Sequence, residues 1–126
     1  MRRGSVNRIL LDQNVPYPIR TLFPDREVKT AYQMGWNALG NGELLRAAEA
    51  EDFAVMVTCD QNIRHQQNMA TRRVGLVVLS TNNWNILRDR ADDIRRSVEE
   101  LAPNGYAYVE CGLAPKRRRT GPELEM

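Results

Sequence analysis

Two Asp-Gln-Asn triplets occupy residues 12–14 and 60–62, each directly after a short apolar run, in LLDQN and TCDQN. A carboxylate followed by two amides at a strand end is oxygen-donor chemistry. It can ligate a hard cation, or it can turn the chain and cap a helix. Glu43, in NGELL, adds a third carboxylate at the start of an apolar-periodic stretch. Three carboxylates brought together repel unless a cation lies between them, and oxygen ligands with amide neighbours suit Mg2+ or Mn2+ rather than zinc. Such a site activates water and neutralises charge on a transferring phosphoryl group. Asp12, Glu43 and Asp60 are therefore the candidate metal ligands and catalytic residues, with Asn14, Asn41, Asn62 and His65 in support. Singly, each has a plainer use. The aspartates can cap helices, Glu43 can answer a helix dipole, and the asparagines are common in turns and caps, Asn41 as the N-cap of its helix. His65, the only histidine, suits a surface or hydrogen-bonding position.

The elements that must position these groups follow from periodicity. RILLD (8–12), EVKTA (27–31), FAVMVTC (53–59), VGLVVLS (74–80) and YAYVEC (106–111) read as strands. YPIRTLF (17–23) reads as a short helix, with Pro16 and Pro18 tolerated near its first turn. Residues 41–52 place Leu44, Leu45, Ala48 and Phe53 near one face of a helix, and 61–72 reads as a polar helix. Residues 83–101 form the clearest helix, with Trp84, Leu87, Ala91, Ile94, Val98 and Leu101 on one stripe. Strand and helix alternate without repeat or linker. This predicts one α/β domain with a mainly parallel central sheet of about five strands, helices on both faces and right-handed crossovers. Periodicity leaves the strand order open. Ligands of such sheets bind at the carboxyl edge, where the following helices also begin. Topology therefore sends Asp12, Glu43 and Asp60 to one edge, with Asn14, Asn41, Asn62 and His65 nearby.

At 126 residues, with 42% hydrophobic and 27% charged residues, the chain is of ordinary globular composition and one domain long. No apolar run approaches the roughly 20 residues of a membrane helix, and no signal-peptide pattern opens the chain. A cytoplasmic location without membrane association is expected. Cys59 and Cys111 lack metal-type spacing and read as buried free thiols. The net charge of +2 conceals an uneven distribution. Without the six basic residues at 2–3 and 116–119, and without Glu123 and Glu125, twelve basic and fourteen acidic residues remain, a net of −2. The body is mildly acidic with basic ends, and 113–126 reads as a basic, disordered tail.

The stretches ILLDQNVP, GWNALGNGELLRAAEAEDFAVMVTCDQNIRHQQN and VGLVVLSTNNW make residues 8–111 resemble the compact PIN-like proteins. These are relatives of the PIN-domain ribonucleases that serve as toxins in bacterial toxin–antitoxin pairs. The resemblance implies a PIN-like domain over 1–112 that acts as a metal-dependent, single-strand-preferring endoribonuclease. It maps the acidic cluster onto Asp12, Glu43 and Asp60, and implies a homodimer and an antitoxin protein as partners. Gln13 and Asn41 stand where many relatives carry acids, and Asn62 is the nearest counterpart of a fourth acid. Arg64, Arg72 and Arg73, with the basic ends, are candidate contacts to the RNA backbone.

Two other functions fit parts of the pattern. The missing acids suit a catalytically weakened module that binds RNA or a protein partner through Tyr17, Trp36 and Trp84, although Trp84 also suits the core. A receiver-like phosphoacceptor domain would use Asp60 and Ser80-Thr81. It requires an acidic pair where Gln13 stands, and a lysine where the last strand runs into VECGL.

Overall fold

The runs VMVT and GLVVL are buried at every position, so neither strand has a face left for water. Such strands belong in the middle of a parallel sheet covered on both sides. The computed structural model describes residues 8–63 and 72–111 and contains this sheet. Its strands are β1 (Arg8–Leu11), β2 (Glu27–Thr30), β3 (Val55–Thr58), β4 (Gly75–Leu79) and β5 (Tyr106–Val109). Every neighbouring pair is parallel, in the order β2-β1-β3-β4-β5. The α/β class and the five-strand sheet agree with the sequence reading, and the sheet is parallel throughout.

Between the strands lie a 3₁₀ helix (Tyr17–Leu22), α1 (Asn41–Ala50), α2 (Trp84–Leu87), a 3₁₀ turn (Arg88–Arg90) and α3 (Ala91–Glu99). The segment 17–23 is thus wound more tightly than an α-helix, and the long helix of 83–101 is divided in three. Its apolar stripe nevertheless continues across the break, with Leu87, Ile94 and Val98 all buried. The polar helix expected over 61–72 lies largely outside the described residues, as does the tail after Cys111. Among the described residues, no helix is long and apolar enough to cross a membrane.

Strand side chains alternate between two cores, as the period of two requires. Ile9, Leu11, Val55, Val57, Val77 and Leu79 pack on one face with Ile19, Leu22, Leu87, Ile94 and Val98. Leu10, Met56, Leu76 and Val78 pack on the other with Leu44, Leu45, Ala48 and Ile63. Burying a side chain of this size contributes roughly 1.5–3 kcal/mol, so the two cores dominate the stability.

The arrangement also corrects the expected handedness. The β1–β2 and β4–β5 connections cover the same face while crossing the sheet in opposite directions. They must therefore have opposite hands. One of the two is therefore left-handed, the rarer arrangement. The 3₁₀ helix and the stripe of α2 and α3 share this face, Ile19 and Leu22 from the one and Leu87, Ile94 and Val98 from the other. Leu101 closes this face over Gly75, where an added Cβ would lie only 2.4 Å from its side chain.

Candidate active site

β1 and β3 are neighbours, with Leu11 opposite Val57, so Asp12 and Thr58 leave the sheet side by side. The Asp12 amide donates to the Val57 carbonyl at 2.9 Å, which extends the ladder past the strand end. The Asp12 side chain is 8% exposed. Its Oδ1 accepts from the Gln13 amide at 2.8 Å, and its Oδ2 accepts from the Thr58 hydroxyl at 2.8 Å. Thr58 is fully buried, and its oxygen accepts in turn from the Asp60 amide at 3.1 Å. One hydroxyl thus joins the carboxylate of the first triplet to the backbone of the second. Asn14 completes the link, its Oδ1 accepting from the Cys59 amide at 3.0 Å.

Asp60 faces the start of α1. Its Oδ1 accepts from the Asn62 amide at 2.9 Å, and its Oδ2 accepts from Asn41 Nδ2 at 2.8 Å. Asn41 is therefore not the expected N-cap. Gly40 holds that position with extended backbone, which leaves the Asn41 amide to reach Asp60. Glu43 sits one turn into α1 and accepts from the Gly40 N–H at 3.2 Å, as a capping-box glutamate does.

The structure thus joins Asp12, Asn14, Thr58, Asp60 and Asn41 in one network, while Glu43 turns back to its own helix start. Among the described residues, no three Asp, Glu, His or Cys side chains group closely enough to hold a metal ion. Asn62 contributes its backbone, and Arg64 and His65 lie outside the described residues. Arg72 and Arg73 precede β4, which places them at the amino edge, across the sheet from the carboxylates. There Arg72 pairs with Glu49 at 4.0 Å, and the Arg73 guanidinium donates to the Glu49 carbonyl at 3.3 Å. Thr58 was not singled out from sequence, although a threonine ending an otherwise apolar strand was a usable signal. Gln61 was also missed. Its amide donates to the Leu79 carbonyl at 2.9 Å, while its Oε1 accepts from the Tyr108 hydroxyl at 2.9 Å. Nothing in the local sequence marks that reach.

The donor set decides which cation would fit. Asp12 and Asp60 with amide neighbours are hard oxygen donors. Mg2+ is commonly held by one or two protein carboxylates, with substrate phosphates and waters completing its shell. In kind, Asp12 and Asp60 are the donors such an ion takes. Among the described residues, no lysine or arginine forms an ion pair with Asp12, Asp60 or Glu43.

The neighbouring thiols are chemically quiet. Cys59 donates to the Thr81 carbonyl at 3.3 Å. Burial, then the Asp12 charge and Cys111, push its thiol up to about 12. Burial also raises the Cys111 thiol. Neither is a thiolate nucleophile at neutral pH. Because the fold favours the neutral thiol of Cys59, its contribution to stability is complete below the ordinary value of 9.0. That contribution is lost as pH rises from there towards about 12. Cys59→Ala should accordingly flatten the fall in Tm over this alkaline range; parallel wild-type and variant curves would refute the assignment.

Fold and edge together define a class: a doubly wound α/β domain with an acidic, amide-rich site at the switch point between β1 and β3. Comparison with protein-family models, curated proteins and solved structures returned no match.

Proposed function

We propose that the chain is a Mg2+- or Mn2+-dependent endoribonuclease of PIN-like type that hydrolyses RNA phosphodiesters at this edge. The observation that carries the reading is the buried Asp12 carboxylate, linked through Thr58 to the Asp60 backbone at the carboxyl edge of the sheet. The resemblance of residues 8–111 to PIN-like proteins adds the reaction class. Asp12 and Asp60 would hold the ion, which when bound supplies charge neutralisation at phosphate and an activated water. Thr58 and the Gln13 amide fix the Asp12 carboxylate. Asn41 and the Asn62 amide do the same for Asp60. Glu43 shares the edge and would join the set only by leaving the Gly40 amide.

The engagement of Glu43 as a cap favours a second reading, a module that binds RNA or a protein partner without cleaving it. A receiver-like role shares this strand order, but Glu110 follows β5 where such a domain needs a lysine. Calorimetric titration of Mn2+ separates the first two readings. It should be run with and without single-stranded RNA, on wild type and on Asp12→Asn/Asp60→Asn. The nuclease reading expects saturable Mn2+ binding in wild type, tighter with RNA and absent from the double variant. RNA binding without any Mn2+ dependence would select the binding module.

A further inference from the structure

The exposed large hydrophobic side chains among the described residues are Tyr17, Tyr32 and Tyr108, at 50%, 74% and 45% exposure. All three lie towards the carboxyl ends of the strands. Tyr17 opens the 3₁₀ helix that follows Asp12, Tyr32 lies just past the end of β2, and Tyr108 is in the second half of β5. β2 and β5 are the outermost strands. Four interstrand spacings of about 4.8 Å therefore set them about 19 Å apart, with the Asp12 and Asp60 site between them.

Two of these rings, Tyr108 and Tyr17, are held by neighbouring side chains. The Tyr108 hydroxyl donates to Gln61, which is itself anchored on the Leu79 carbonyl and adjoins Asp60. The Arg20 guanidinium stacks 4.2 Å from the centre of the Tyr17 ring. No described leucine, isoleucine, valine or phenylalanine is exposed. A protein-docking patch would show a contiguous apolar surface. Separate flat rings with polar tips instead match nucleobases, each of which offers a π-face, and an adjacent arginine can meet phosphate.

We infer that Tyr17, Tyr32 and Tyr108 form a row of stacking contacts for the bases of single-stranded RNA, spanning the carboxyl edge on either side of Asp12 and Asp60. The inference rests on the ribonuclease reading, and names its substrate form and the contacts that hold it. The row explains how an edge with acidic side chains retains a polyanion: the bases are gripped, and the phosphate between them meets the ion.

The test is fluorescence anisotropy with a labelled oligouridylate and an abasic oligomer of equal length, in an Asp60→Asn background that prevents cleavage. Tight binding to the oligouridylate alone is expected. Each Tyr→Ala change should weaken it about tenfold, with Tyr→Phe near the parent. Melting curves matching the parent are expected, since all three rings are exposed. Equal affinity for the abasic oligomer, or alanine variants within about twofold of the parent, overturns the inference. If wild type still cleaves in that case, the ribonuclease reading survives. A chain that neither binds nor cleaves single-stranded RNA overturns both, leaving the rings to a protein partner.

Discussion

If the proposed ribonuclease reading holds, Asp60→Asn should lower RNA cleavage on the order of a thousandfold, and Asp12→Asn should do the same, with both variants keeping the fold. The size follows from the several kcal/mol of charge stabilisation that a bound ion supplies at phosphate, with each 1.36 kcal/mol worth about tenfold in rate. The fold survives because the replacements are isosteric and their hydrogen bonds can be redrawn. Asparagine at 60 can still accept from the Asn62 amide while donating to a flipped Asn41, which now reaches Asp60 at 2.8 Å. At 12, the Thr58 hydroxyl can turn towards Asn14 Oδ1, already 3.4 Å away. Purified variants assayed beside wild type with Mn2+ decide the matter. Undiminished cleavage removes both aspartates from the chemistry. A fall in Tm beyond about 5 °C, roughly 1 kcal/mol in a domain this size, would assign the loss to folding instead.

Thr58→Val should produce the largest loss of stability at the site, about 2–3 kcal/mol or roughly 10–15 °C in Tm. Valine fills the same volume, so no cavity opens in this fully buried position. What disappears is the donor to Asp12 Oδ2 and the acceptor of the Asp60 amide. A buried carboxylate left short of a hydrogen bond bears most of the cost. Thr58→Ser keeps the hydroxyl and should lose only about 1 kcal/mol, the burial of one methyl group. The charge-specific part is separable by a double-mutant cycle. In an Asp12→Asn background the valine should cost markedly less. If the cost is unchanged there, the hydroxyl stabilises the strand end and not the carboxylate.

The same residues show how far the chain could be read before it was folded. The runs RILL, VMVT and GLVVL declare buried strands because backbone with no polar face must be covered on both sides. Parallel strands end at one edge, so Asp12 and Asp60 were bound to share it whatever the strand order. The same logic, applied to the residues that precede a strand, already assigns Arg72 and Arg73 to the far edge. Composition alone could not reveal that.

Other features are decided by contacts between distant segments, which periodicity does not encode. The adjacency of β1 and β3 sets Asp12 beside Thr58, which links it to the Asp60 backbone. One face is covered jointly by two segments distant in sequence, the 3₁₀ helix and the stripe of α2 and α3. Asn41 was legible as a helix-start residue, yet its amide goes to Asp60, nineteen residues away in sequence. Glu43 was legible as an acid at that edge, yet a nearby amide at Gly40 captures it. Residue types and strand ends thus determine which groups arrive at the edge, because the parallel ladder and the period of two are local rules. Which of those groups touch is a tertiary matter, settled by hydrogen bonds such as that of Thr58, whose two partners meet only when the sheet is assembled.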